Sequence, residues 1–408
     1  MPPMIAGNPH LKVQGGVVTI GGVTLDELLE SAKLPLFVLL GDRVKENCAT
    51  FVEACKERFS SFRLYYSVKA NYFPEVCSLV CRAGFGLEVV SLAELEILKR
   101  GEVFSDSWVA GGPYNTEEFL KGAIRLPGAR LVVQHLGEVR KVDQICRLEG
   151  VTKQEVYLRV RDSRFPSRLG IVANGENVSQ LREELEDTER VVLSGLLAHG
   201  GPRSSSFGGF VQHVKFLTET AERLVEAMNL DRLDLNFGGG FPDATVLKRP
   251  GLERILDAVR EITKGSRWVG EVAFEPGRYV VGDAGIILSK VHRFDISGRW
   301  VYIDLGLHQL SRFSGKQVRF YNLERPCDSH GTPTSFCGVL PSEQDVLVKN
   351  YYFTERVEEG DLVMVTNAGA YSFTFSTRFP YQLPGVLLVE HGTVKELHVE
   401  EVLRAFQR

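Results

Sequence analysis

Lys69 closes the apolar run LYYSVK and is followed by Ala70-Asn71. An ammonium group in such a place is costly to bury without a partner. It is either a lysine paired with an acid such as Glu88, or an amine of lowered pKa suited to a Schiff base. His199 closes LSGLLAH ahead of Gly200-Gly201, as a satisfied core histidine or as a flat ring facing a site. Gly238, Gly239 and Gly240 remove side chains at three consecutive positions. That run makes a tight turn, or a set of backbone N–H groups able to cradle a phosphate. Glu275, in VAFEPGR, is a salt-bridged structural acid or a placed anion. Arg278 follows it by three residues, and Arg159 lies in VYLRV.

Together these residues do more than each alone. An aldehyde needs the lysine. A phosphate needs the glycines and Arg278. A pyridine ring needs a stacking partner, His199, and an anion, Glu275, that keeps its nitrogen protonated. These are the requirements of pyridoxal 5'-phosphate acting as an electron sink.

Such residues work only if one scaffold brings them to one mouth. Nine short β-rich runs between residues 36 and 280 alternate with amphipathic windows, among them FVLL, LYYSVK, LEVVS, VYLRV, LSGLLAHG and DLNFGGGF. Strand–helix alternation predicts parallel strands with crossover helices, and near-continuous apolar runs fit strands buried on both faces. An eight-stranded α/β barrel over 42–280 is therefore expected, with one of the nine runs belonging elsewhere. In such a barrel reactive residues gather at the C-terminal ends of the strands. Residues 1–41 and 281–408 are expected to form a mostly antiparallel β domain, which the early hairpin LKVQGGVVTIGGVTL could join. The segment 324–336, ERPCDSHGTPTSF, is polar and irregular and reads as a mobile loop or a lid.

Composition narrows the partners. The chain has 408 residues, and 48 basic against 52 acidic side chains give a net charge of −4. Nucleic acid is thus not an expected partner. No apolar run is long enough to span a membrane, and the N-terminus lacks the pattern of a signal peptide. Seven cysteines at scattered spacings include no C-x-x-C pair, so no metal site is expected. They read as small buried hydrophobes, with a reducing cytoplasm as the default setting.

The motifs YSVKAN, EVVSLAEL, the AHGG strand end, GGGF, EPGR and NAGAY occur in this order. They resemble the fold-type III pyridoxal-phosphate decarboxylases, the ornithine, arginine and diaminopimelate decarboxylase group related to alanine racemase. The resemblance covers about residues 36–380. It implies an alanine racemase-type barrel with a β domain, and a head-to-tail homodimer with active sites shared at the interface. It gives Lys69 to the Schiff base, His199 to the ring face and Glu275 to the pyridine nitrogen. Gly238, Gly239, Gly240, Arg278 and Tyr371 fall to the phosphate. Glu88 stands where the family usually has aspartate, and Arg159 matches the arginine of the middle strand.

Two departures stand out. The family commonly reads H-x-G-S after the strand-end histidine, and Pro202 replaces that serine; Ser204, Ser205 or Ser206 could compensate if the loop turns back. The family's G-x-x-C-(D/E/T)-x-x-D carries a cysteine that protonates the α-carbon after decarboxylation. Here Gly338 and Asp345 align, but Pro341 holds the cysteine position, and Cys337 lies four residues early. The segment DLGLHQLSRFSG resembles a branch whose substrates often carry modified or carrier-attached tails. The expectation is a specialised biosynthetic decarboxylase, with His308, Arg312, Ser342, Glu343 and the 324–336 loop as candidate substrate contacts. A racemase or decarboxylation-coupled variant on the same fold, and a regulatory pseudoenzyme, are the alternatives.

Overall fold

The computed structural model describes residues 5–165, 167–201, 206–311 and 317–406. Two compact units emerge: Cys48–Pro242 with Leu247–Gly277, and Met1–Asn47 with Asp243–Val246 and Arg278–Arg408. The sequence had placed the corresponding boundaries at 42 and 280.

The chain opens with β1 (Leu11–Gln14), β2 (Val17–Ile20) and β3 (Val23–Thr24). Each hairpin turns on two glycines, Gly15-Gly16 and Gly21-Gly22, all at positive φ. Such pairs match the twist of flanking strands. These three strands form a sheet of their own and do not join the larger β sheet, a correction to the expectation. The strand β4 (Leu36–Leu40) contains FVLL. It is the surplus run: it pairs with strands of the larger β sheet and not with the barrel. All five of its residues are buried. A central strand covered on both faces has the same apolar pattern as a barrel strand, so periodicity could not separate them.

The barrel closes from eight parallel strands. They are β5 (Phe62–Ser67), β6 (Gly86–Val89), β7 (Trp108–Ala110), β8 (Ala129–Val133), β9 (Gln154–Arg159), β10 (Val191–Leu197), β11 (Leu233–Asn236) and β12 (Val269–Phe274). Tyr65, Val109, Val132, Tyr157, Leu197 and Ala273 meet in its interior. This is a packed core, not a pore, as small barrels require. Two large tyrosines fill what aliphatic side chains would leave open, and their hydroxyls are not stranded: Ser107 donates to Tyr65, and Tyr157 donates to Asp234.

Besides β1–β3, the second unit carries a sheet of nine strands among the described residues: β4 with β13 (Gly285–Asp295), β14 (Trp300–Ile303), β15 (Arg319–Asn322), β16 (Thr332–Cys337), β17 (Val346–Phe353), β18 (Leu362–Thr366), β19 (Gly385–Glu390) and β20 (Thr393–Leu397). Among the described pairings of this sheet, only β14 with β16 and β19 with β4 run parallel. The strand β16 corrects the reading of 324–336 as one irregular loop. Its second half pairs along β17, and Thr334, Ser335 and Phe336 are buried. Threonine and phenylalanine favour such a pleated surface, a preference masked here by the Pro, Gly and charged residues before and among them.

Among the described residues no helix is long and apolar enough to cross a membrane.

Candidate active site

At the end of β5 the chain leaves the barrel through a tight turn, Val68–Ala70. Val68 and Ala70 point into the core, so Lys69 between them projects outward from the strand end. Its ammonium pairs with the Glu88 carboxylate and donates to Ser67 Oγ at 3.0 Å. Ser67 in turn donates to the same Glu88 oxygen. The contact follows from register, because Ser67 and Glu88 are opposite one another on adjacent parallel strands. The acid partner expected for a buried lysine is thus present. Yet the lysine side chain remains 42% exposed while that of Glu88 is buried. Lys69 is therefore reachable from solvent, whereas its counter-ion is not.

Glu275 follows β12 directly and is buried. Asn236 Nδ2, at the end of β11, donates to its Oε1 at 2.8 Å. Burial, then the nearby charge of Glu88, pushes the Glu275 carboxyl up to about 7, against the opposing pull of Lys69 and Arg159. Arg159, the last residue of β9, has its pKa lowered by burial. The same Asn236 accepts from the Gly238 N–H at 2.9 Å, and Glu275 N–H donates to Gly238 O. One amide side chain thus ties the anion to the glycine run.

That run is a cradle as well as a turn. Gly238 and Gly240 lie at φ +68° and +97°, where side chains are disfavoured. A Cβ on Gly239 would sit 2.6 Å from the Glu275 carbonyl oxygen. Gly277 is also closely packed, though less tightly: a Cβ there would lie 3.0 Å from the Cβ atoms of Ser67 and Ala70, beside the lysine turn.

His199 is exposed at the barrel mouth, two residues beyond β10. Its Nδ1 accepts from the Gly201 N–H at 3.0 Å, which fixes the ring and leaves Nε2 to carry the proton of the neutral form. Partial loss of water around the ring at the strand ends, then the charges of Arg159 and Lys69, holds its pKa down to about 4. The satisfied core histidine of this region is His213 instead, whose Nε2 lies 3.1 Å from the carbonyls of Ala198 and Phe237.

In the other unit Arg278 opens a short helix, with its guanidinium 5.1 Å from the ring centroid of Tyr371. Tyr371 sits at φ +65°, an unusual conformation for an aromatic residue. Asp243 is buried, and burial raises its carboxyl to about 8.

The loop 338–345 is pinned at both ends. Asp345 is buried and accepts from the N–H groups of Leu307 at 2.7 Å and Leu340 at 2.8 Å. Gly338 N–H donates to the Asp345 carbonyl, and a Cβ on Gly338 would lie 2.5 Å from Gly306 Cα. Between these anchors Pro341, Ser342, Glu343 and Gln344 are exposed. Cys337 is held in β16 against Tyr302 and Val346. His308 is buried, 5.9 Å from the Tyr381 ring, so it is not an ordinary surface residue. Arg312, Pro202, Ser204 and Ser205 lie outside the described residues. Ser206 is already engaged as a helix cap, accepting from Gly209 N–H.

The barrel thus brings Lys69, Glu88, Arg159, His199 and Glu275 together with Gly238–Gly240. Sequence reasoning missed Ser67, Asn236 and Gly277. Asn236 had a signal, an amide at the end of a strand just before the glycine run. The residues fit pyridoxal phosphate: an accessible amine, a buried anion and a backbone cradle without Cβ atoms lie in one unit.

Comparison with known proteins agrees. The pyridoxal-binding domain of the pyridoxal-dependent decarboxylases matches residues 43–282. Diaminopimelate decarboxylase of Aquifex aeolicus is 24% identical, covering 97% of this chain and 96% of its own. The structure of diaminopimelate decarboxylase from M. jannaschii superimposes with a TM-score of 0.85 at 22% identity, over 98% of each chain. That of lysine decarboxylase from Selenomonas ruminantium gives 0.73 at 24%, covering 89% of this chain and 94% of its own. With more than half of its length matched, this chain belongs to the pyridoxal-dependent decarboxylases, enzymes that use pyridoxal phosphate to remove carbon dioxide from amino acids.

Proposed function

We propose that decarboxylation takes place at the C-terminal mouth of this barrel, with Lys69 as the residue that captures the cofactor's aldehyde. The observation that carries the reading is the Lys69–Ser67–Glu88 cluster, an accessible amine beside a buried carboxylate. When bound, the cofactor accepts the electron pair left at the α-carbon as carbon dioxide departs. Glu275, fixed by Asn236, holds the proton on the pyridine nitrogen. His199, oriented by Gly201, offers a ring face. The run Gly238–Gly240 takes the phosphate through the N–H groups of Gly239 and Gly240, that of Gly238 being given to Asn236, with Arg278 and Tyr371 as further phosphate ligands.

The substrate we propose is an α-amino acid of a specialised biosynthetic route, free or attached to a carrier. Two features support this. Pro341 and Ser342 replace the cysteine and the acidic or threonine residue of the family motif. Ser342, Glu343 and the buried His308 offer a different set of substrate contacts. A two-fold dimer with shared sites is supported by three exposed aromatics that follow Tyr371 in the chain, Phe375, Phe379 and Tyr381, at 51%, 66% and 46% exposure. A cytoplasmic location fits its cysteines, which are all free among the described residues.

The experiment is a screen for carbon dioxide release from candidate amino acids, with mass spectrometry of the products and Lys69→Ala as control. A product lighter than its substrate by one carbon dioxide confirms the reading. A product of unchanged mass and inverted configuration would make the protein a racemase.

A further inference from the structure

The carbon dioxide that leaves must be replaced at the α-carbon by a proton. Proline at 341 supplies none, and Cys337 lies in β16, four residues before the motif's cysteine position. We propose that Lys69 delivers this proton, held and aimed as an ammonium by Glu88; the proposal rests on the decarboxylase reading above.

The barrel mouth narrows the choice. Arg159 does not give up a proton in the neutral range. His199 is uncharged at neutral pH, and its one N–H points along the ring edge, away from the face offered to the cofactor. Glu275 is tied to Asn236 and serves the pyridine nitrogen. Glu94 also faces Lys69 and Glu88 electrostatically, and burial lifts its carboxyl to about 7. However, the Val90 N–H donates to that carboxylate at 2.6 Å, and Glu94 is enclosed at a helix start. Among the described residues of the barrel mouth, Lys69 alone combines a proton, solvent access and a position where the cofactor's aldehyde must sit.

Proton counting favours it as well. When the substrate's α-ammonium displaces Lys69 from the cofactor, the ammonium protons pass to the lysine, which leaves as an ammonium ion. Its partner at that moment is the Glu88 carboxylate it already meets in this structure. The bond from the α-carbon to the carboxylate then breaks and carbon dioxide departs. One Lys69 proton forms the new C–H bond, leaving a neutral amine. That neutral amine is the form needed to displace the product, which departs as a free amine and takes its last proton from water. The cycle closes with the one proton that decarboxylation consumes overall.

Glu88 is a positioning residue here. Aspartate, the usual residue at this position, is one methylene shorter. Glutamate lets a single carboxylate oxygen meet both Lys69 Nζ and Ser67 Oγ.

The test uses Glu88→Gln and Glu88→Asp enzymes loaded with cofactor, on the substrate that releases carbon dioxide. A proton misdelivered to the cofactor carbon, followed by hydrolysis, yields a carbonyl compound and the pyridoxamine form of the cofactor in place of the amine. Glu88→Gln should lower turnover by on the order of 10²-fold and raise the carbonyl share of product about tenfold, counted per bound cofactor. Glu88→Asp should restore most of both, whereas Cys337→Ser should leave the amine-to-carbonyl ratio alone. An unchanged ratio in Glu88→Gln, or a shifted one in Cys337→Ser, would overturn the proposal while leaving the decarboxylase reading intact. If wild type forms neither carbon dioxide nor carbonyl compound from any amino acid tried, the decarboxylase reading itself fails.

Discussion

Glu275 and Asp345 are both buried carboxylates at strand ends, and their partners differ in kind. Asp345 spends its oxygens on backbone N–H groups, those of Leu307 and Leu340, and staples an exposed loop in place. Glu275 takes a side-chain amide, Asn236, and shares its surroundings with Glu88, Lys69 and Arg159. Backbone donors lock a carboxylate into architecture. A ring of titratable side chains leaves it responsive, so its charge can follow a ligand. The same contrast separates their regions: chemistry is concentrated in the barrel mouth, whereas the 338–345 loop presents a surface.

The largest effect expected from this contrast is at Lys69. Lys69→Ala should abolish both the visible absorbance of bound cofactor and turnover, because no second amine replaces the nucleophile. Retained absorbance with the label on another lysine after borohydride reduction would move the chemistry elsewhere.

Next is Glu275→Gln, which keeps the shape and removes the charge. Without an anion beside it the pyridine nitrogen does not keep its proton and the electron sink weakens, and loss of one such placed charge typically costs about 10²–10³-fold in turnover. It also changes a pH slope. The folded carboxyl, raised to about 7, binds its proton more tightly than an unfolded glutamate at 4.5. Between those values the native state holds the extra proton, so the group's stabilising contribution is present below 4.5 and is lost as pH rises through 7. Thermal melting of the cofactor-free protein should show that decline between pH 4.5 and 7 more strongly in wild type than in Glu275→Gln. Identical slopes would mean the carboxylate is solvated after all.

Asp345→Ala belongs to the other region and should behave in the opposite way. It strands two backbone donors, at about 1–3 kcal/mol each, so the melting temperature falls. Absorbance of the bound cofactor should survive wherever the protein remains folded. Loss of the cofactor from folded protein would show that the loop is not merely architecture.

The barrel was legible because chemistry breaks pattern. Lys69, Arg159 and Glu275 are charged residues at the ends of apolar strands, and a run of three glycines has few other uses. The mouth's supporting residues were harder to see. Ser67 and Asn236 are ordinary polar types, and their value lies in register across strands that pair only after folding. Gly277 matters because a turn some 200 residues earlier packs against it. In the β unit β4 reads like one more barrel strand because burial on both faces erases alternation, and only its place before residue 42 sets it apart. The strand β16 was lost because its ladder partner, not its own composition, makes it a strand. Where the fold is set by local periodicity the sequence speaks; where it is set by pairing partners it does not.

Pro341→Cys should have the smallest effect, and it probes the contrast from the side of the loop. It places a thiol where the family motif has one. Gly338 and Asp345, the two anchors, are untouched, and position 341 is exposed, so stability should change by less than about 0.5 kcal/mol. If Lys69 already supplies the proton, a second donor has no vacancy to fill, and turnover should stay within about threefold of wild type. The amine-to-carbonyl ratio should not move either. A rise in turnover on the scale of a restored general acid, about 10²-fold or more, would show that the loop position is a catalytic site left unfilled in this chain. Measuring the ratio in Glu88→Gln with and without the new cysteine sharpens the result. A cysteine that repairs the Glu88 defect without improving wild type would show that both groups can reach the same carbon, and that this chain relies on the lysine.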